Sequence, residues 1–362
     1  MRLGLQQRVY PLYRRPFFEL LGQALGGEFS LFAGLPRPDE GIRSAQELTN
    51  GHYFLAKNIH LFRGTFYLCY QRDILNWLER WDPQVLIVEA NPRYLSTAKA
   101  IRWMKARRRP VLGWGLGAPP ITGRLRFWRQ WRRLRFLRQF DGLIAYSRRG
   151  VEEYAAAGVP RSRIFLAPNA VTSRPSLPPP ARPPIQERCT VLYVGRLQPR
   201  KRVDWLIRAC AEMPIPPRLL IVGDGPERAR LEQVAAQHYP QAEFIGEKHG
   251  EALAPFFHMA DLFVLPGTGG LAIQEAMSYA LPILVARGDG TQDDLVRPEN
   301  GWQIPPDDYP ALVQALRLAL SDGVLLRQKG EASYRIVRDE INLEGMVEAF
   351  VEAIQWALKN RR

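Results

Sequence analysis

Residues 261–286, DLFVLPGTGGLAIQEAMSYALPILVA, decide the fold. DLFVLPG at 261–267 is a β-rich apolar run closed by glycine, and residues 270–280 place Ile273, Ala276, Met277 and Ala280 on one helical face. LPILVA at 281–286 is a second apolar run, so the segment reads strand, glycine loop, helix, strand. Upstream the alternation continues: VLYVG at 191–195, a basic loop, a helical pattern through Trp205 and Ile207, RLLIVGD at 218–224 and AEFIG at 242–246. Continuous apolar strands alternating with helices imply a parallel sheet covered on both faces. Residues 83–90 (PQVLIVEA), 110–115 (PVLGWG) and 141–147 (DGLIAYS) repeat the pattern more faintly, which predicts a second doubly wound α/β domain. Between the two, residues 173–188, SRPSLPPPARPPIQER, contain six prolines and no apolar period, and read as an extended, stiff connector. The expected organisation is a domain over 1–172, a linker over 173–188, a second domain over 189–345, and a helix over 346–362 returning to the first domain.

A chain of 362 residues with 46% hydrophobic and 24% charged side chains is globular, which excludes disordered and collagen-like classes. Three cysteines without a C-x-x-C pair encode neither a disulfide framework nor a zinc site, and a reducing cytoplasm fits. No signal-peptide core and no spanning run of ~18 apolar residues is present, so the expected place is cytoplasmic or peripheral on a membrane. The net charge of +14 is unevenly distributed. Residues 1–175 hold 29 basic and 12 acidic side chains and the remainder 21 and 24, so the cationic excess lies wholly in the first half. Such a field attracts phosphates, nucleic acid or anionic lipid, or serves solubility alone.

Three loops are candidates for chemistry. In VLYVGRLQPRK the strand ends at Gly195, and Arg196 and Lys201 flank a turn into a helix, where a phosphate would meet two cations and backbone N–H groups. A plain basic surface loop reads the same way. GDGP at 223–226 is a sharp turn opening a helix. The loop Gly267, Thr268, Gly269, Gly270 leads into the helix bearing Glu275, a carboxylate placed either to accept from a ribose diol or simply to face water. The polar segment 287–308 reads as a loop, with Asp293 and Asp294 solvated, and no D-x-D follows a strand as metal-dependent sugar transfer would need.

Taken in order, GRLQPRK, IVGDGP, LPGTGGLAIQEAMSYALPI and NGWQIPPDD resemble the C-terminal domain of the family 4 glycosyltransferases, retaining nucleotide-sugar enzymes of GT-B fold. The resemblance covers residues ~141–320, taking in DGLIAYS and IFLAPNAV. It implies two Rossmann-like domains facing a cleft, the first binding the acceptor and the second the nucleotide sugar. It implies that Arg196 and Lys201 hold the donor diphosphate and that Gly269, Gly270, Leu271 and Ala272 give it backbone N–H groups. By the same resemblance Glu275 binds the ribose, Ile245 and Glu247 lie near the base, and no metal or cofactor is required. Two positions depart from the pattern. The family's usual Glu eight residues before the ribose-binding one is Gly267 here, so that backbone groups or Thr268 would contact the donor sugar. WGLG at 114–117 offers no histidine, leaving His52 and His60 as the only N-terminal ones.

RLRFWRQWRRLRFLRQF at 124–140 holds seven arginines, with Phe127, Trp128, Trp131, Leu134 and Leu137 on one arc and Arg126, Arg129, Arg132 and Arg133 opposite. A basic amphipathic helix with tryptophans reads as an element lying on anionic lipid, or as a helix packing its aromatics on a sheet. With RVYPLYRR at 8–15 and KARRR at 105–109 the same half could hold a phosphorylated acceptor. The expected partners are a nucleotide sugar, a lipid-linked or phosphorylated cell-envelope glycan, and an anionic membrane surface. Nucleic acid is not expected, because no RNP-like, helix-turn-helix or zinc pattern accompanies the charge. The competing reading is a donor-site-degenerate GT-B subunit without catalysis, motivated by Gly267.

Overall fold

The computed structural model describes residues 1–360 except Leu125, Pro183, Pro184, Gln186, Glu187, Thr268 and Asp289, and all of Thr65 but its side chain. Residues 1–171 with 343–362 form one compact unit and residues 172–342 another.

The first unit holds strands β1 (Leu3–Val9), β2 (Phe29–Gly34), β3 (His52–Ala56), β4 (Asn58–Leu61), β5 (Leu68–Gln71), β6 (Val85–Glu89), β7 (Val111–Gly115), β8 (Gly142–Ala145) and β9 (Ile164–Leu166). Seven of them make a parallel sheet in the order β3-β2-β1-β6-β7-β8-β9, while β4 and β5 pair as an antiparallel hairpin. Strand β1 escapes an apolar-run reading because Gln6 and Gln7 are buried in it. The Gln6 amide donates to the Gln71 side chain and its oxygen accepts from Glu89 N at 3.3 Å, while Gln71 donates to the main-chain carbonyl of Gln7 at 2.9 Å, which ties the polar positions of β1 into the core.

The second unit holds β10 (Thr190–Val194), β11 (Arg218–Val222), β12 (Glu243–Gly246), β13 (Leu262–Leu265), β14 (Ile283–Ala286) and β15 (Gly301–Ile304), all parallel in the order β12-β11-β10-β13-β14-β15. The order reverses between β10 and β13, and such a switch point opens a crevice at the carboxyl edge. The 287–308 segment is more than a loop: it contains the helix Thr291–Leu295 and the edge strand β15, and Asp294 is buried rather than solvated.

Within 173–188 no described residue joins a helix or strand, yet the segment is fastened to its unit. The Arg182 guanidinium donates to the carbonyls of Phe257 at 2.8 Å and Tyr279 at 2.6 Å, and burial pushes its pKa down to about 10. The last helix, Leu343–Lys359, belongs to the first unit. Phe350 is fully buried there between Phe17 and Trp114, at ring distances of 4.9 and 5.0 Å, a burial worth about 1.5–3 kcal/mol. No helix among the described residues is long and apolar enough to cross a membrane.

Candidate functional site

Three loops leave the carboxyl edge of the second sheet and touch backbone to backbone. A Cβ at Gly223 would stand 2.0 Å from the Gly195 carbonyl oxygen, one at Gly225 2.3 Å from that of Leu197, and one at Gly267 2.2 Å from that of Arg200. Hydrogen bonds from Gly195 N to the Val222 carbonyl at 3.0 Å and from Leu197 N to that of Asp224 at 2.9 Å fix the first pair of loops. Gly267 also lies 2.5 Å, measured from the same Cβ position, from Lys201 Cα. No side chain, the glutamate of the family pattern included, fits at 267 unless the 200–201 backbone retreats. Its absence is thus part of how this loop seats on its neighbour.

That seating buries Lys201. Its ammonium donates to the Gly269 carbonyl at 2.7 Å, and burial, reinforced by the neighbouring Arg200 charge, pushes its pKa down to about 8. Gly269 sits at φ 68°, left-handed backbone that glycine adopts without strain, and so turns its carbonyl toward the lysine. Arg196 is exposed just beyond Gly195 on the same loop. Arg200 is a cation the sequence reading left out: its Nη1 lies 3.5 Å from the Gly269 Cβ position, so it covers the glycine loop from outside. Its one sequence signal is adjacency to Lys201 in GRLQPRK.

Glu275 stands in the first turn of the helix Ala272–Ser278, half-buried, and burial pushes its carboxyl above the usual range while the nearby His249 opposes that. His249 is a second residue the sequence did not single out. Its Nε2 lies 2.9 Å from Glu247, just past Ile245 and the end of β12. The structure therefore brings both Glu247 and Glu275 near His249, while Lys201 and Arg200 lie against the glycine loop. Gly270 packs so tightly that its Cβ would meet Leu265 at 2.3 Å, Ala272 is partly buried and Leu271 is exposed. Thr268 lies outside the described residues. Among those described, no three His, Cys, Asp or Glu side chains gather to hold a metal ion.

The first unit presents a different set. Glu89 ends β6, accepts from Arg8 N at 2.5 Å, and burial pushes its carboxyl up to about 7. His60 shares a 2.9 Å hydrogen bond with Tyr67 on the hairpin, whereas His52 opens β3 at the amino edge of the sheet, with its ring 4.9 Å from Trp81. Three arginines of the short basic runs serve the fold. Arg8 pairs with Glu40 at 2.9 Å, Arg14 is buried against Trp114 and Tyr146, and Arg109 is paired with Asp82. The helix Arg126–Leu137 differs: Leu137 is buried and Leu134 and Phe136 pack on the core, but Phe127, Trp128 and Trp131 are 75%, 54% and 55% exposed.

The sequence and the fold match known proteins. Residues 23–174 fit the family model for Glycosyltransferase Family 4 and residues 188–322 that for Glycosyl transferases group 1. A GDP-mannose-dependent alpha-mannosyltransferase of Mycobacterium tuberculosis is 32% identical over 203 residues, which is 52% of this chain and 50% of that protein. The chain thus spans about half the length of that curated relative. Among solved structures, sucrose-phosphate synthase from Thermosynechococcus elongatus superposes with a TM-score of 0.70 at 19% identity, over 99% of both chains. A lipopolysaccharide outer core galactosyltransferase in its apo form gives 0.68 at 17%, over 98% of this chain and 99% of the other. Two family models in sequence order, matching the two parallel-sheet units, place this chain in glycosyltransferase family 4 with the GT-B fold.

Proposed function

We propose that this protein is a retaining, metal-independent glycosyltransferase that moves a sugar from a nucleoside-diphosphate donor to a lipid-linked or cell-envelope glycan. The observation that carries this reading is the buried Lys201 ammonium held against the Gly269 carbonyl where the glycine loops meet, with Arg200 and Arg196 beside it. Breaking the anomeric C–O bond sends its electron pair to the β-phosphate, and stabilising that developing charge is the main catalytic requirement. Cations and backbone N–H groups already in place meet it without reorganisation. The acceptor hydroxyl forms the new bond to the anomeric carbon on the face the phosphate leaves, and its proton passes to the departing phosphate oxygen. Glu275 then takes the ribose hydroxyls, Ile245 and Glu247 flank the base, and backbone groups of the 267–270 loop meet the donor sugar.

For acceptor and place, the support comes from the first unit. Three exposed aromatics among arginines support docking of residues 124–140 on an anionic surface at the inner face of a membrane. The mannosyltransferase and lipopolysaccharide relatives make GDP-mannose the first donor to try and envelope glycans the first acceptors. Incubation with a panel of nucleotide sugars, reading nucleoside diphosphate released, tests the proposal. Release from one donor is expected. Tight nucleotide binding with no release from any donor, with or without acceptor, would favour the non-catalytic subunit that Gly267 suggests.

A further inference from the structure

The first unit holds a hollow of its own. It has a volume of about 490 Å³, within the range of small-molecule pockets, and three elements wall it. Ala118, Pro120 and Ile121 come from the loop after β7, Phe127 and Gln130 from the helix Arg126–Leu137, and Ala156 and Ala157 from the end of the helix that starts at Arg148. Two glycines set this geometry. A Cβ at Gly117 would stand 2.9 Å from Gly150 Cα, and one at Gly150 would stand 2.4 Å from the Leu116 carbonyl, so the loop lies directly on the second helix. The alanines further along that helix then leave the space unfilled.

The charges around the hollow have one sign left over. Of its two carboxylates, Glu152 is paired with Arg161 and Glu153 with Arg149 at 3.1 Å. Among the described residues no arginine of the helix Arg126–Leu137 shares an ion pair. Arg126 lines the hollow itself, and Arg129 and Arg133 reach back from the helix to the carbonyls of Thr122 and Pro119 on the facing loop. An apolar trough edged by cations, beside exposed Phe127, Trp128 and Trp131, complements the two halves of one kind of molecule, a hydrocarbon chain ending in a phosphate.

We infer that this groove takes the hydrocarbon chain of a phosphate-bearing lipid, with its head group on Arg126, Arg129 and Arg133. That the lipid is the acceptor's anchor rests on the transferase reading; that the groove binds a chain does not. The loop Leu116–Ile121 leaves the carboxyl edge of the first sheet, so a chain seated there would hold its head group near the edge where such sheets bind ligands.

The test is calorimetric binding of octyl, dodecyl and hexadecyl phosphate below their micellar concentrations. Each buried methylene is worth about fourfold in affinity, so burying the four extra methylenes should tighten binding by up to about 250-fold from octyl to dodecyl phosphate. The matching alcohols should bind at least tenfold more weakly, and inorganic phosphate should not compete. Ala156→Trp fills the trough from an exposed helix position and should cost tenfold or more with melting unchanged; Ile121→Asp, on the opposite wall, is the second variant. Affinity indifferent to chain length overturns the inference without any variant, and so do folded variants that bind as wild type. A dimer that Ala156→Trp dissolves would give the groove to a second copy instead. GDP and UDP binding to the wild-type protein is measured alongside. Alkyl-phosphate binding without nucleotide binding sinks only the transferase reading, and the converse sinks only the groove.

Discussion

Lys201 and the arginines of the helix Arg126–Leu137 carry the same charge in opposite surroundings. Lys201 is buried against a carbonyl, its pKa down at about 8, in a frame of glycine loops that leaves no room for a Cβ at Gly223, Gly225 or Gly267. The arginines stand on a helix whose Phe127, Trp128 and Trp131 are exposed, and they have no ion-pair partner among the described residues. A desolvated cation is poised for one phosphate in one place, whereas a solvated row of them acts on any anionic surface within a Debye length. Net charge counts both alike, and burial separates their uses.

The comparison breaks most visibly at the arginine helix. Changing Arg126, Arg129, Arg132 and Arg133 to Gln should remove about 4 kcal/mol of attraction to anionic vesicles, at about 1 kcal/mol per cation, or roughly a thousandfold in partitioning. Co-sedimentation with and without anionic lipid measures it, with circular dichroism to show that the variant is folded. Binding that is absent in wild type, or indifferent to lipid charge and salt, would leave this helix no membrane role.

Next in size is Lys201→Ala, expected to lower kcat about a hundredfold, or ~2.7 kcal/mol, by removing charge from the departing phosphate. Arg196→Ala reports on an exposed cation at the same loop and sharpens the contrast if its loss is smaller. Near-wild-type turnover in both would remove the diphosphate assignment. Glu275→Gln should weaken nucleoside diphosphate binding by about 1.5 kcal/mol, somewhat over tenfold, and an unchanged Kd would make Glu275 an ordinary helix residue.

The smallest effect is in pH. Burial lowers the Lys201 pKa to about 8, so the free protein loses that proton as pH rises through 8, while a bound diphosphate favours the charged form. Binding therefore takes up a proton, and affinity should fall by up to tenfold between pH 8 and 9, with Lys201→Ala flat over that interval. A flat wild-type profile would mean that Lys201 does not meet the phosphate. For stability the sign is opposite: a lysine with a depressed folded pKa opposes folding below that pKa, and the opposition fades as pH rises from about 8 toward 10.5.

Much of the second unit was legible because most of its strands are apolar runs, several closed by glycine, a pattern that depends only on neighbours in the chain. The first unit was fainter for local reasons. Gln6 and Gln7 interrupt β1, and Gln71, sixty-four and more residues away, is what makes that strand tolerable in a core. Likewise 287–308 looked like a polar loop, and β15 emerges from it only because β14 offers an edge for Gly301–Ile304 to pair with.

By itself, then, the sequence determined the α/β class, the loop with Arg196 and Lys201, the glycine loop leading into the helix of Glu275, and the asymmetry of charge, since composition and periodicity are properties of the chain alone. Only the tertiary structure decided what each group meets there. It put Arg200 over Gly269 and His249 beside both Glu247 and Glu275, and it paired Arg8 with Glu40 and Arg109 with Asp82. It also showed that Gly267 is excluded from bearing any side chain by the Arg200 carbonyl, and it opened a groove beside exposed tryptophans. The physical reason is that desolvation, close backbone approach and charge pairing depend on which segments meet in space, and residues far apart in the chain cannot announce such meetings locally.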